Sequence, residues 1–321
     1  MKMQHGGYLT IYLESLRIDS VLDFDLYTLH DGTYVLYRSK RLPFTENVRK
    51  TLIENGVPRL YVPNSDRHVY QKYVESNLTT ILSDASIEET TRAGIFYDSA
   101  KYLVEEVLNN PTRGENIKRS QAMVESTVSF VLSRRDAFRS LLKVMSTDYC
   151  TYTHCVNVCT YSIALAQAVG ITSADELHQL GTGAMLHDIG KSRIPDSVLN
   201  KRGILTPLEM EMIRKHPQYG FDIIKKTDII SEESCAPIIQ HHEREDGSGY
   251  PNSIGSSYIH RYSKIVSIAD VFDAMTTQRV YRAAEETYPV LKWMFENKHV
   301  FDAHFLEQFA KELGPGVPEG S

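Results

Sequence analysis

The apolar period of this chain changes at Pro63, and that change limits the folds open to it. From Tyr8 to Pro63 the pattern is mixed and rich in aromatic and β-branched residues, beginning with Tyr8-Leu9-Thr10-Ile11-Tyr12-Leu13. The stretch from Phe24 to Tyr37 breaks at Asp31-Gly32, a dipeptide that adopts positive φ at little cost, so two strands joined by a hairpin turn are expected. A helix is expected from Phe44 to Asn55, capped by Thr45, turning Val48, Leu52 and Ile53 inward and ended by Gly56. Leu60-Tyr61-Val62 reads as one more short strand. Beyond Pro63, Val69, Tyr73, Val74, Ile81 and Leu82 fit one buried helical stripe, which Ile95, Leu103, Val107 and Leu108 continue until Pro111 and Gly114 interrupt it. Downstream of Gly114 the strand-like runs are too short to make a sheet.

The expected class is therefore α+β. A small amino-terminal α/β input or docking domain occupies 1–83, a helical connector 84–127, an all-α helical-bundle domain 128–313, and a flexible tail 314–321. At 321 residues there is chain enough for two cores, and 42% hydrophobic with 24% charged residues excludes a disordered or collagenous protein. No apolar run approaches the roughly 18 residues that span a bilayer, and no basic region with an apolar signal core opens the chain, so a cytoplasmic protein without membrane insertion is expected. The four cysteines show no paired CxxC spacing and read as thiols. A net charge of −6 argues against a nucleic-acid polymer as partner. It does not forbid a small anionic ligand, because charges beyond about 8 Å are screened and local lysines and arginines do the binding. The helices after Pro63 have a spacing that serves either pairing across a homodimer or ordinary core, and a few turns do not make a sustained heptad.

The strongest chemical signal is His187-Asp188-Ile189-Gly190-Lys191, preceded by Ala184-Met185-Leu186. Adjacent imidazole and carboxylate groups grip one metal while the second carboxylate oxygen reaches a neighbouring one, so a bridging Asp188 fits a two-metal site. Such a site suits phosphodiester hydrolysis, with ions roughly 3.5–4 Å apart stabilising attacking and leaving oxygens. Lys191 would then neutralise phosphate. A histidine beside an aspartate is weak by itself. His154, His216 and the doublet His241-His242 strengthen it, as does Asp270 among apolar neighbours, because a buried carboxylate is costly unless paired or metal-bound. The other histidines, His5, His30, His68, His178, His260, His299 and His304, lack a companion pattern and read as surface or structural residues. Cys155 and Cys159 read as core. Glu243 fits either the orientation of a ligand histidine or the hydrogen bonding of its loop.

From about Val128 to Phe309 the ordered motifs resemble the HD-GYP family, a branch of the HD phosphohydrolase superfamily. They are His154-Cys155-Val156-Asn157-Val158, His187 to Lys191, Ile194 to Lys201, Lys215-His216-Pro217, His241-His242-Glu243, Asp246-Gly247, Gly249-Tyr250-Pro251 and Ala269 to Thr276. The resemblance implies that His154, His187, Asp188, His216, His241, His242 and Asp270 are metal ligands, Asp188 being the bridge. It implies two divalent ions, with iron favoured and manganese second. Lys191 takes a phosphate-binding position and, with Asp188, the catalytic role. Arg279, Arg282, Asp148 and Tyr250 stand near substrate, arginine offering planar bidentate donors to phosphate or a guanine edge. The implied activity is that of a bacterial signalling hydrolase, a cyclic di-GMP phosphodiesterase yielding pGpG, GMP or both. The loop at Gly249-Tyr250-Pro251 is implied to meet partners such as diguanylate cyclase (GGDEF) domains. Two departures stand out. Cys150 occupies a position where some relatives carry a third-metal glutamate, which favours two ions over three, and Val280 replaces a common proline before Tyr281-Arg282. Competing readings are a metal- and cyclic-dinucleotide-binding regulatory module with little turnover, and an HD phosphohydrolase of another nucleotide or cyclic dinucleotide.

Overall fold

The computed structural model describes residues 7–57, 59–133, 137–145, 150–201, 203–277 and 286–314. The chain divides into two compact units, Met1–Ser99 and Ala100–Ser321. The first holds β1 (Tyr8–Tyr12), β2 (Ser20–Val21), β3 (Leu26–His30), β4 (Thr33–Arg38), β5 (Pro43–Phe44), α1 (Glu46–Glu54), β6 (Arg59–Pro63) and α2 (Arg67–Ser83). Antiparallel pairing arranges four of the strands in the order β1-β6-β3-β4, and β2 pairs separately with β5.

The turn between β3 and β4 falls at Asp31 and Gly32, with φ of 47° and 80°, as the dipeptide implied. Inner-facing Ile11, Leu26, Leu60 and Val62 are buried, and Phe24, Leu52, Tyr70 and Val74 join them in the core. Thr45 caps α1 by accepting from Val48 N at 3.4 Å, and Gly56 follows the helix at φ +66°. Thr45→Ala is expected to destabilise this unit by about 1 kcal/mol, read as a lower denaturation midpoint.

Two inward assignments are corrected. Ile53 is 58% exposed, because Leu52 alone of that pair faces the core and the next residue lies about 100° around the helix. Val69 is 39% exposed, since the buried stripe of α2, which includes the expected Val74, Ile81 and Leu82, begins at Tyr70 and also takes in Leu78.

The helix α3 (Glu89–Asn109) runs across the division, and every further element of the second unit is helical. They are α4 (Gly114–Ser133), α5 (Ala137–Val144), α6 (Thr151–Ala168), α7 (Ala174–Leu186), α8 (Asp196–Leu199), α9 (Pro207–Arg214), α10 (His216–Thr227), α11 (Glu232–Gln240), α12 (Arg261–Thr276), α13 (Thr287–Glu296) and α14 (Ala303–Leu313). A short 3-10 segment, Ile189–Arg193, follows α7 and packs on α10. Every residue of α6 from Thr153 to Ala166 is buried, which makes it the central helix. It packs against α7, α12 and α14, while α11 lies against α7, α10 and α12. Cys155 and Cys159 belong to this core, and burial pushes both thiols up in pKa. No helix among the described residues is long and apolar enough to cross a membrane.

Candidate metal centre

Helix ends place the chemistry. A helix leaves its last four carbonyls without intrahelical partners, and three of the histidines answer that need. His187, directly after α7, donates from Nδ1 to Ala184 O at 2.7 Å. His216, the first residue of α10 and separated from α9 by Lys215, donates from Nδ1 to Ile213 O at 2.8 Å. His241, directly after α11, donates from Nδ1 to Pro237 O at 2.8 Å. The C-terminal ends of α7 and α11 thus meet the α9–α10 junction at one place, and those two negative ends favour cations.

The same bonds set the tautomers. A carbonyl only accepts, so each Nδ1 carries a proton, and in the neutral ring that a metal ligand requires it is Nε2 that presents the lone pair. His154, in the first turn of α6, reaches the same state through Asp273, whose Oδ2 accepts from its Nδ1 at 2.7 Å. Asn157 Nδ2 donates to the other oxygen of Asp273 at 2.7 Å and fixes that carboxylate.

The lone pairs face one another. His187 Nε2 stands 3.3 Å from His154 Nε2, and His216 Nε2 stands 3.1 Å from His241 Nε2. Neither pair has a proton to share, whereas two nitrogens each about 2.1 Å from one cation lie about 3 Å apart at a right angle. Ligand atoms of His154, His187 and Asp188 form one such cluster, and those of His216, His241 and His242 another, each within 4.8 Å.

Asp188 lies between them. Its Oδ2 is 3.4 Å from His187 Nε2 and 3.6 Å from His154 Nε2, while its Oδ1 is 3.2 Å from His216 Nε2 and 4.0 Å from His241 Nε2. Despite that proximity Oδ1 is buried with no partner in hydrogen-bond geometry among the described residues. An orphaned carboxylate oxygen beside unprotonated imidazoles is what a cation site leaves when described without its ion. Asp270 spans the two clusters in the same way, its Oδ1 3.1 Å from His154 Nε2 and its Oδ2 3.6 Å from His242 Nδ1. The donor set therefore fits divalent ions.

Charge follows the geometry. Burial is the largest influence on Asp188 and would raise its pKa, but Lys191 and His187 override it and hold the carboxyl well below the usual range. Burial likewise opposes ionisation of Asp270, and the adjoining imidazoles of His154, His242 and His187 outweigh it and hold the carboxyl well below the usual range. Burial, reinforced by neighbouring imidazoles, holds His241 and His242 well below the usual histidine range, so both rings are neutral and able to ligate.

The remaining sequence candidates divide. Lys191 Nζ donates to Asp188 Oδ2 at 2.5 Å and is 13% exposed, so it meets the bridge directly. Tyr250 stacks on His242 with ring centroids 4.6 Å apart, and the Arg214 guanidinium lies over the Tyr250 ring, 5.5 Å from its centroid. Glu243 serves its loop, accepting from Asn252 N at 2.7 Å and Ile254 N at 3.1 Å. Cys150 precedes α6, its N–H donating to Thr153 Oγ1 at 3.0 Å and its thiol only partly exposed. His178 is satisfied by Gln121 O at 3.0 Å, consistent with a structural role. Asp148, Arg279 and Arg282 lie outside the described residues. Sequence reasoning includes Asp273 and Asn157 in its motifs without a role and misses Arg244, because their partners are distant in the chain or belong to the backbone.

A helical bundle that brings an adjacent histidine and aspartate to the end of one helix, and completes the set from four others, defines the HD class of fold. The HD domain family model matches residues 123–304, and the chain belongs to that family, in its HD-GYP branch. It is 31% identical over 229 residues to "Cyclic di-GMP phosphodiesterase PA4108" of Pseudomonas aeruginosa, covering 71% of this chain and 55% of that protein. Over 232 residues it is 29% identical to "3'3'-cGAMP-specific phosphodiesterase 3" of Vibrio cholerae, covering 68% of this chain and 49% of that protein. The chain thus spans about half the length of these curated relatives. Among solved structures it resembles Bd1817, an HDG"Y"P protein of Bdellovibrio bacteriovorus, at 25% identity and a TM-score of 0.68 over 94% of this chain and 98% of that one.

Proposed function

We propose that this chain is a cytoplasmic, metal-dependent phosphodiesterase that opens cyclic di-GMP to pGpG and, in a second turnover, to GMP. The observation carrying this reading is the division of one carboxylate between two imidazole clusters, Oδ1 of Asp188 toward His216 and His241, Oδ2 toward His154 and His187. The ligands are His154, His187, Asp188, His216, His241, His242 and Asp270, with iron favoured and manganese second. Two such ions, when bound, supply Lewis acidity toward phosphoryl oxygens and lower the pKa of water toward neutrality.

The chain's own groups do the rest. Asp188 and Asp270 hold the clusters in register, and the Nδ1 hydrogen bonds of His154, His187, His216 and His241 fix each ring's orientation with Nε2 toward the cluster. Lys191 neutralises a phosphate oxygen beside the bridge. Arg279, Arg282 and Asp148 are assigned to the nucleotide from their place in the sequence, and the Tyr250 ring, already stacked on His242, offers a flat surface to a base. Residues 1–83 act as the input or docking domain, 84–127 as the connector and 128–313 as the catalytic domain. The loop at Gly249-Tyr250-Pro251 is the docking surface for diguanylate cyclase (GGDEF) domains, and sedimentation decides whether two copies pair.

Turnover of cyclic di-GMP against 3'3'-cGAMP in competition tests the substrate. Preference for cyclic di-GMP supports the proposal; preference for 3'3'-cGAMP moves it to the mixed dinucleotide that the Vibrio cholerae relative's name specifies. Binding without turnover moves it to a regulatory module. Lys191→Gln is expected to lower kcat/KM by about 10- to 100-fold, the worth of one charge-assisted hydrogen bond. An unchanged kcat/KM removes Lys191 from the mechanism.

A further inference from the structure

Arg244 follows the paired histidines, and its Nη1 faces three oxygens: Ser267 Oγ at 2.6 Å, Glu243 O at 3.1 Å and His241 O at 3.3 Å. Two of these belong to the turn that carries His241 and His242. The third belongs to α12, three residues before Asp270, and therefore on the same side of that helix. The guanidinium also lies over the Phe301 ring, 5.9 Å from its centroid. Arginine stays charged and its donors form a rigid plane, so one nitrogen shared among these acceptors fixes the separation between turn and helix. Lys191 differs: it is a point charge on a flexible stem and meets the bridging carboxylate directly. Arg244 is turned instead toward the backbone behind the ligands.

We propose that Arg244 is a positioning residue that sets His242 against Asp270, and thereby governs how tightly the His216, His241 and His242 side of the centre holds its ion. This rests on reading the centre as a two-ion site. His242 Nδ1 and Asp270 Oδ2 stand 3.6 Å apart, one on each of the two elements that Arg244 ties together. His154 and His187 stand on α6 and at the end of α7, and none of Arg244's acceptors lies there. The effect of removing it is therefore lopsided: His241 and His242, both on the tied turn, are loosened on one side, while the other side feels the loss only through Asp270, whose Oδ1 stands 3.1 Å from His154 Nε2.

The test is calorimetric titration of the metal-stripped full chain with Mn²⁺ alone, checked by elemental analysis of retained metal, with no nucleotide present. In Arg244→Ala one of two Mn²⁺ sites weakens by about 10- to 100-fold, the usual cost of losing an outer partner of a metal ligand. The other stays within about threefold by the same measure. Arg244→Lys keeps the charge without the span and weakens the same site. Ser267→Ala keeps the arginine, removes only its anchor on α12, and weakens that site again. Native affinity at both sites in Arg244→Ala overturns the proposal, as does full rescue by lysine, which would make charge rather than position the operative property. If circular dichroism shows Arg244→Ala unfolded, Ser267→Ala decides, native affinity at both sites overturning the proposal. A wild-type chain that takes up fewer than two Mn²⁺ instead overturns the two-ion reading itself, before any variant is compared.

Discussion

Asp188→Ala protein is expected to fold, to retain neither ion after desalting, and to lose at least about 10³-fold in turnover. Both oxygens of Asp188 are in use, one toward each imidazole cluster, so a single truncation takes a ligand from both at once. Metal catalysis supplies several kcal/mol of transition-state stabilisation, and each 1.36 kcal/mol is about tenfold in rate. The fold survives because what remains is buried imidazole with satisfied Nδ1 atoms, and the apolar packing of α6 and α7 is untouched. Elemental analysis beside a thermal melt checks both halves. A variant that keeps two ions would show that Asp188 does not bridge.

The second large effect is structural. A Cβ on Gly190 would stand 1.9 Å from His216 O and 2.5 Å from Gly220 N, both backbone atoms that no rotamer change can clear. Gly190→Ala must therefore drive the segment 189–193 away from α10. Overpacking of this kind costs about 3 kcal/mol or more when backbone has to move. Asp188 sits just before that segment and His216 on the far side of the contact, so the variant is expected to lose metal along with stability. A chemical denaturation curve overlaying that of the wild type would contradict so close an approach.

Local features were legible in the sequence because they depend on neighbours. Asp31-Gly32 marks a hairpin wherever strands flank it, and Thr45 caps a helix using only the next three residues. The two-residue strands β2 and β5 carry no period to read, being set by pairing between Ser20 and Phe44 across the fold. Ile53 and Val69 were misplaced because a short apolar stripe does not fix which of two adjacent positions meets the core.

The candidate ligands were legible for a different reason: their ordered motifs resemble the HD-GYP family, and Asp270, between Ala269 and Val271, is a carboxylate with few inexpensive uses among apolar neighbours. What orients them was not. Ala184, Ile213 and Pro237 contribute only carbonyls, which have no side-chain signature, and Asp273 meets His154 across 119 residues of chain. The phosphate-binding position of Lys191 does not reveal that its Nζ also meets the bridging carboxylate, a contact that a spacing of three residues permits but does not require.

The most direct test of the central claim is chromatography of cyclic di-GMP incubated with anaerobically purified chain loaded with ferrous or manganous ion, beside an Asp188→Ala control. Metal-dependent conversion to pGpG or GMP that vanishes in the control is the expected result. Intact cyclic di-GMP in the presence of fully loaded protein would contradict it.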